Sequence, residues 1–250
     1  MPVGLQMFSL RAEEQQDRLA TLTAVAKMGY QGVEFYAPYY DWTPAYAKTV
    51  RAHLDSVGLR CFSNHTNRAH FTAAHLSKVA DLNSILGSRH VVMAHSVEVT
   101  GEQDGWKKLA AELTTAHETL KKYGLSAGFH NWPDEFKTID GYRPIDVLIA
   151  NTPADLGFQI DTYGPFHHGA DLVAFLHQHR NRVRSYHLKD WAATRNRLIL
   201  GEGDVKWPPI FEAAERVGGV EYYLIEQEGS RLTPMETARI GLEQYRRLRA

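Results

Sequence analysis

Apolar residues recur along the chain in two alternating rhythms. Segments with a helical period, such as "AEEQQDRLATLTAVAKM" and "WKKLAAELTTAHETLKKY", give way to short runs dense in apolar residues. The handover has one signature. The amphipathic segment ends in glycine and a strand-like run follows at once, as in "AKMGYQGVEFY", "LDSVGLRCFSNH", "NSILGSRHVVMAH", "KKYGLSAGFHN" and "ERVGGVEYYLIEQE". Glycine just past a helix supplies a left-handed C-cap, and the apolar run after it reads as a buried parallel strand. "ADLGFQIDTYG" and "NRVRSYHLKDW" add two strands, and "PVGLQMFSLR" places one before the first helix.

Strands are thereby predicted near residues 3–9, 31–36, 59–64, 90–95, 125–130, 157–161, 183–188 and 221–226. Eight βα units in 250 residues is the order and size of a (β/α)8 TIM barrel of the α/β class, one domain spanning 1–250. A doubly wound open sheet is the rival. No GxGxxG follows the first strand, however, and eight regular units favour closure. No linker, low-complexity tract or shift in composition marks a second domain.

Barrels of this kind carry the active site at the C-terminal ends of the strands. Here the strand bodies are apolar and the tips are not: Glu34, Asn64 with His65, His95, His130 with Asn131, Asp161, His187 with Lys189 and Asp190, and Glu226 with Glu228. Each alone reads as a satisfied polar residue or a loop cap. Burying so many without compensation is costly, so their convergence on one rim points to function. His130, Asp161, His187 and Glu226 end strands five to eight in succession. Neighbouring strands lie about 4.8 Å apart, close enough for four consecutive tips to surround one ion. Two imidazoles and two carboxylates suit Mn²⁺, Co²⁺, Zn²⁺ or Fe²⁺ better than Ca²⁺ or a thiolate-loving ion.

Composition narrows the partners. A net charge of −1 argues against non-specific nucleic-acid binding, which needs a basic excess. The locally basic "YRRLRA" tail reads as the solvated end of a last helix. The single Cys61 excludes an intramolecular disulfide, and no apolar run approaches a membrane span. No secretory pattern opens the sequence, so the expectation is a cytoplasmic protein with no nucleic-acid or membrane partner.

The same residues resemble a known family. "GLQMFSLR", "GYQGVEFY", "FHNWPDEF", "QIDTYG", "YHLKDW", "LGEGDVKWPPIF" and "YYLIEQE", in that order, are similar to the xylose-isomerase-like superfamily. Within it they resemble the sugar-phosphate isomerase/epimerase group, which includes D-tagatose 3-epimerase and inosose dehydratase. The resemblance implies a divalent metal on the tips of strands five to eight, Mn²⁺ first, with Co²⁺, Zn²⁺, Fe²⁺ or Mg²⁺ as alternatives. Asp161, His187 and Glu226 match that pattern directly. Tagatose-type epimerases place a glutamate on strand five, as ligand and base; the branch with an HNH motif has histidine, which His130 follows. Trp132 replaces that branch's second histidine. A small-molecule carbohydrate substrate is implied, and a homodimer is expected from the group.

The remaining tips carry two readings each. His65 and His95 shuttle protons or bind substrate hydroxyls, or else cap loops and support the metal ligands. Lys189 neutralises an enolate oxygen or binds a carboxylate, or else pairs with Asp190 or Glu202. Glu34 is a substrate-side group or the partner of an arginine such as Arg11. Asn131 is a second layer around the metal or a substrate contact. Trp132, Tyr163, Trp191 and Phe8 offer aromatic faces to the CH faces of sugars, or pack in the core. "LGEGDVKW" lacks the GK[ST] of a P-loop.

A cation at these tips would polarise a carbonyl and stabilise the enediolate formed when the neighbouring carbon loses its proton. With His130 as a ligand, a two-glutamate epimerase mechanism is not available. Glu226 is left as base, with His65, His95 or Lys189 as its partner. The leading expectation is a metal-dependent sugar isomerase or epimerase; the alternative is a dehydratase or lyase acting on a keto-sugar, keto-glycoside or keto-cyclitol. Endonuclease IV shares the superfamily, but its trinuclear zinc site needs a ligand where this chain has Gly164. A non-catalytic sugar-binding protein would hold no metal.

Overall fold

The computed structural model describes residues 1–95, 99 and 102–250, the His95 side chain excepted. Strands β1 (Val3–Gln6), β2 (Gly32–Phe35), β3 (Arg60–Asn67), β4 (His90–His95), β5 (Ser126–His130), β6 (Gly157–Asp161), β7 (Val183–Leu188) and β8 (Tyr222–Ile225) pair in chain order. All pairs are parallel, and β8 closes onto β1. The expected (β/α)8 barrel is present.

Two strands depart from their expected bounds. β1 ends at Gln6, whose side-chain oxygen accepts the Phe8 N–H at 3.1 Å and turns the chain into a 3₁₀ turn, Met7–Leu10. β3 continues to Asn67, which places His65 within the strand rather than at its tip.

Around the barrel run α1 (Arg11–Met28), α2 (Pro44–Val57), α3 (Ala73–Leu86), α4 (Gln103–Lys121), α5 (Pro144–Ala150), α6 (Tyr163–His167), α7 (Leu172–Gln178), α8 (Trp207–Ala213) and α9 (Pro234–Leu248). α2 shows how the sequence dictates them. Thr43 accepts the Tyr46 N–H as N-cap, and Pro44 opens the first turn. Ala47, Val50 and Leu54 form its buried stripe. Gly58 ends it at φ +75°, a conformation that a side chain would strain. Among the described residues, no helix is long and apolar enough to cross a membrane.

The barrel interior is layered. At the N-terminal end Phe62 packs on Tyr222 with ring centroids 4.9 Å apart, and Leu224 completes that plug. The plug depends on Gly32, because a Cβ there would lie 2.5 Å from the Phe62 ring. It depends also on a register shift between Val33 and Glu34: Val33 pairs with Cys61, but Glu34 pairs with Ser63. That bulge adds one residue to β3, so Phe62 fills the plug while Ser63 still meets Glu34. Above the plug lies a polar layer, and above that an open cavity.

Candidate metal centre and active-site cavity

The polar layer is built around Glu34 of β2, which has no exposed surface. One of its oxygens accepts from Gln6 Nε2 at 2.7 Å, His65 Nε2 at 2.9 Å and His187 Nε2 at 2.6 Å. The other accepts from the Ser63 hydroxyl and from Gln159 Nε2 at 2.7 Å. Five donors from β1, β2's neighbour β3, β6 and β7 thus converge on one carboxylate. Burial alone would push its pKa up, but the His65 and His187 imidazoles hold it well below the ordinary carboxylate range.

His187 links this layer to the one above. Its Nε2 meets Glu34, and its Nδ1 meets Glu226 Oε2 at 2.7 Å. Burial disfavours the imidazolium, yet the two carboxylates raise His187 to about 10. The Lys189 ammonium lies 2.9 Å from Asp161 Oδ2, 2.9 Å from Glu226 Oε2 and 2.6 Å from Glu228 Oε1. Glu226 is held low against its burial by Lys189 and His187, whereas burial raises Asp161. Asn131 sets the position of Asp161: its side-chain oxygen accepts the Asp161 N–H at 2.9 Å, and its amide donates to the Asp161 carbonyl at 3.3 Å.

His130 stands apart from these pairings. Its Nε2 is 4.0 Å from Asp161 Oδ2, and its buried Nδ1 has no hydrogen-bond partner among the described residues. Burial and the neighbouring His187 and His65 rings depress its pKa well below that of a free imidazole, so it is neutral. Its ring centroid is 4.8 Å from that of His65 and 4.5 Å from that of His187.

This donor set fits a divalent cation. Ligand atoms of Asp161, His187 and Glu226 lie within 4.8 Å of one another, and so do those of His65, His130 and His187. A neutral imidazole with an orphaned nitrogen suits a metal, and an ammonium already sits between the two carboxylates as a cation would. The four residues expected as ligands are all brought to one place, but as two triads sharing His187. His65, not expected as a ligand, joins the second.

Above the cluster opens a cavity of about 710 Å³. Gln6, His65, His130, Asp161, Lys189 and Glu226 reach it from below, and Phe8, Tyr36, Trp132, Tyr163 and Trp191 line its sides. Of the sequence candidates, then, Trp132, Tyr163, Trp191, Lys189, His65 and Asn131 all border the cavity. Glu34 lies beneath it with every oxygen contact spent on protein, and no arginine is its partner: Arg11 donates to the Phe8 carbonyl and stacks on the Phe8 ring. His95 ends β4, and its side chain lies outside the described residues.

Asp190 serves as a clasp. Its carboxylate accepts the N–H groups of Trp191, Gly201 and Gly203 at 2.8, 2.6 and 3.1 Å, with the Trp207 indole at 3.4 Å. Gly203 has to be glycine, since a Cβ would stand 2.1 Å from Asp190 Oδ1.

Residues 22–248 match a family model described as a xylose isomerase-like TIM barrel. The chain belongs to that family. Similar solved structures of this fold include a sugar phosphate isomerase/epimerase from Parabacteroides distasonis ATCC 8503, 24% identical with a TM-score of 0.83 over 97% of this chain and 92% of that one. D-psicose 3-epimerase, crystallised in the presence of D-fructose, is 14% identical with a TM-score of 0.72 over 99% of each chain. The IOLI protein with a bound zinc atom is 14% identical with a TM-score of 0.76 over 99% and 98%. At these identities the likeness shows the xylose isomerase-like fold alone. No curated protein sequence matches.

Gln6, Ser63, Gln159 and Ser185 belong to the site's foundation and lie outside the strand tips to which the sequence points. A signal for two of them was there: Gln159 and Ser185 stand two residues before Asp161 and His187, in the same inward phase of their strands.

Proposed function

We propose that this barrel is a divalent-metal-dependent sugar isomerase or epimerase acting on a keto-sugar or related carbohydrate. The observation that carries the reading is the Asp161–His187–Glu226 cluster beneath an aromatic-walled cavity. A cation held there by those three residues and His130, Mn²⁺ first, would polarise a substrate carbonyl and stabilise the enediolate left by proton removal.

The chain's own groups supply the rest. Asn131 fixes Asp161 through its backbone, and Glu34 fixes His187 by its Nε2, so that Nδ1 faces the cluster. Glu226, ionised and bordering the cavity, is the base that takes the proton from carbon. His65 keeps its Nε2 against the Glu34 and Gln159 oxygens, which leaves Nδ1 as an acceptor beside Gln6. It is the second proton carrier. Lys189 moves with the charge: it holds Glu226 now and meets a developing oxyanion when substrate arrives.

One observation favours the dehydratase or lyase alternative. An imidazole stands at His130, where two-base epimerases of this family hold a glutamate, and elimination needs only one strong base. Both readings are tested together. The purified protein is analysed for bound metal, loaded with Mn²⁺ and incubated with 3-keto-sugars in D₂O. Deuterium entry next to the carbonyl without loss of water supports the isomerase or epimerase. Release of an enone supports the lyase. Carbohydrate binding by a protein that takes up no metal would overturn both.

A further inference from the structure

We infer that the opposite mouth of the barrel holds a second binding site, and that its ligand is a small molecule bearing a phosphate dianion. The inference stands apart from the carbohydrate reading and from the metal centre, because the site lies on the far side of the Phe62–Tyr222 plug.

At the N-terminal ends of the strands a cavity of about 440 Å³ is lined by Arg51, Arg60, Arg89 and His90, with Asp55 and Glu221. That volume lies within the range of small-molecule sites, about 300–1,000 Å³. Two of the cations come from a repeated arrangement. α2 ends at Gly58 and α3 at Gly87, and an arginine stands two residues past each glycine: Arg60 opens β3, and Arg89 immediately precedes β4. β3 and β4 are neighbours about 4.8 Å apart, so the two arginines border the cavity from adjacent strands. Arg51 joins them from α2. A Cβ at Gly87 would collide with Arg51 Nη1, so the glycine that ends α3 also makes room for this guanidinium.

The charge balance says what fits. Both carboxylates of the cavity are already engaged: Asp55 accepts from Arg51 Nε at 2.8 and 2.9 Å, and Glu221 meets His90 at 3.0 Å and Arg184 at 3.8 Å. Neither forms an ion pair with Arg60 or Arg89 among the described residues. Arg60 instead lies over the Phe62 ring, 5.0 Å from its centroid, which supports the guanidinium without neutralising it. Arg51, Arg60, Arg89 and the flanking Arg184 thus set four permanent positive charges against two negative ones, a surplus of two. A phosphate dianion cancels that surplus, whereas a carboxylate cancels half of it. Guanidinium groups also suit phosphate in shape, because their paired N–H donors meet two oxygens at once. The cavity leaves room beside the phosphate for the organic part of the ligand, against the edge of the Phe62 and Tyr222 plug.

The test is calorimetric titration of the full-length, Mn²⁺-loaded protein with phenyl phosphate, benzoate and phenol, which carry two, one and no negative charges on the same ring. Phenyl phosphate is expected to bind about tenfold tighter than benzoate, and phenol not at all. Arg60→Gln and Arg89→Gln should each weaken phenyl phosphate about tenfold, the worth of one charge-assisted hydrogen bond, and together about a hundredfold. Arg60→Lys should keep more of the affinity than Arg60→Gln. Both arginines are exposed, so thermal unfolding of the ligand-free variants should match that of the parent. Benzoate binding as tightly as phenyl phosphate would overturn the dianion assignment. Phenyl phosphate binding that survives the double substitution places the ligand elsewhere, at the Mn²⁺ included, and overturns the site, as does a parent protein that binds none of the three. Neither result touches the carbohydrate reading, which is decided by deuterium exchange at the other end of the barrel.

Discussion

Glu34 and Glu226 grip the two nitrogens of one imidazole, His187, yet they lead opposite lives. Glu34 lies in the closed polar layer and is saturated by donors from four other strands. Glu226 borders the cavity, and its charge is met by His187 and by a lysine that two other carboxylates share. Both are buried, and both are held ionised by neighbouring cations. Burial and charge therefore do not separate a foundation from a reactive group here. What separates them is whether the oxygens are already spent.

The contrast breaks or holds under substitution. Glu226→Gln should lower deuterium exchange from a 3-keto-sugar by about 10³-fold or more, and should cost less stability than Glu34→Ala, because Lys189 keeps Asp161 and Glu228 as partners. Glu34→Ala should act the other way round, leaving two imidazoles, two amides and a hydroxyl without their acceptor. The expected cost is about 3–5 kcal/mol, read by denaturant titration. Equal stability of the two variants would erase the distinction.

A third carboxylate sharpens it. Glu14 in the first turn of α1 is buried with one arginine, Arg18, at 3.1 Å, and its pKa is pushed up to about 7 by that burial. The folded value lies above that of a carboxyl free in water, so the protonated form is the one folding favours. Its contribution to stability is complete below the unfolded pKa and is lost as pH rises through about 7. Glu14→Gln should thus be more stable than the parent by about 2 kcal/mol at pH 8, and the gain should vanish near pH 4. A gain independent of pH would show that proton linkage is not its source. The smallest effect expected is on metal uptake. Lys189→Met removes the ammonium that competes for Asp161 and Glu226, and should raise Mn²⁺ affinity about tenfold in a chelator competition. A fall in affinity would make Lys189 an aid to the metal site rather than its rival.

The upper layer was legible in the sequence because the period of a strand is two and the site sits at the strand ends. "QIDTYG", "YHLKDW" and "YYLIEQE" each break an apolar run at the C-terminal tip, and Asp161, His187 and Glu226 meet there. The lower layer was not legible. Gln6 and Gln159 look like ordinary strand residues until β1 and β6 are closed onto β2 and β7, because their shared partner, Glu34, is distant in the chain. By sequence His65 reads as a strand tip, but the bulge at Phe62 and the added length of β3 bring it down to Glu34. A one-residue insertion of that kind leaves no mark in hydrophobic periodicity.

The Asp190 clasp has a consequence for how such a barrel could diversify. One carboxylate ties the chain at Trp191 and again at Gly201 and Gly203, so the two ends of the segment between them are fixed independently of its contents. Leu198, Ile199 and Leu200 anchor its far side in the core, whereas residues 193–197 are exposed and include Arg195, Asn196 and Arg197 of the cavity wall. That short stretch is a cassette. It can be exchanged, lengthened or recharged to greet a different ligand while the strands, the clasp and the chemistry beneath it stay as they are.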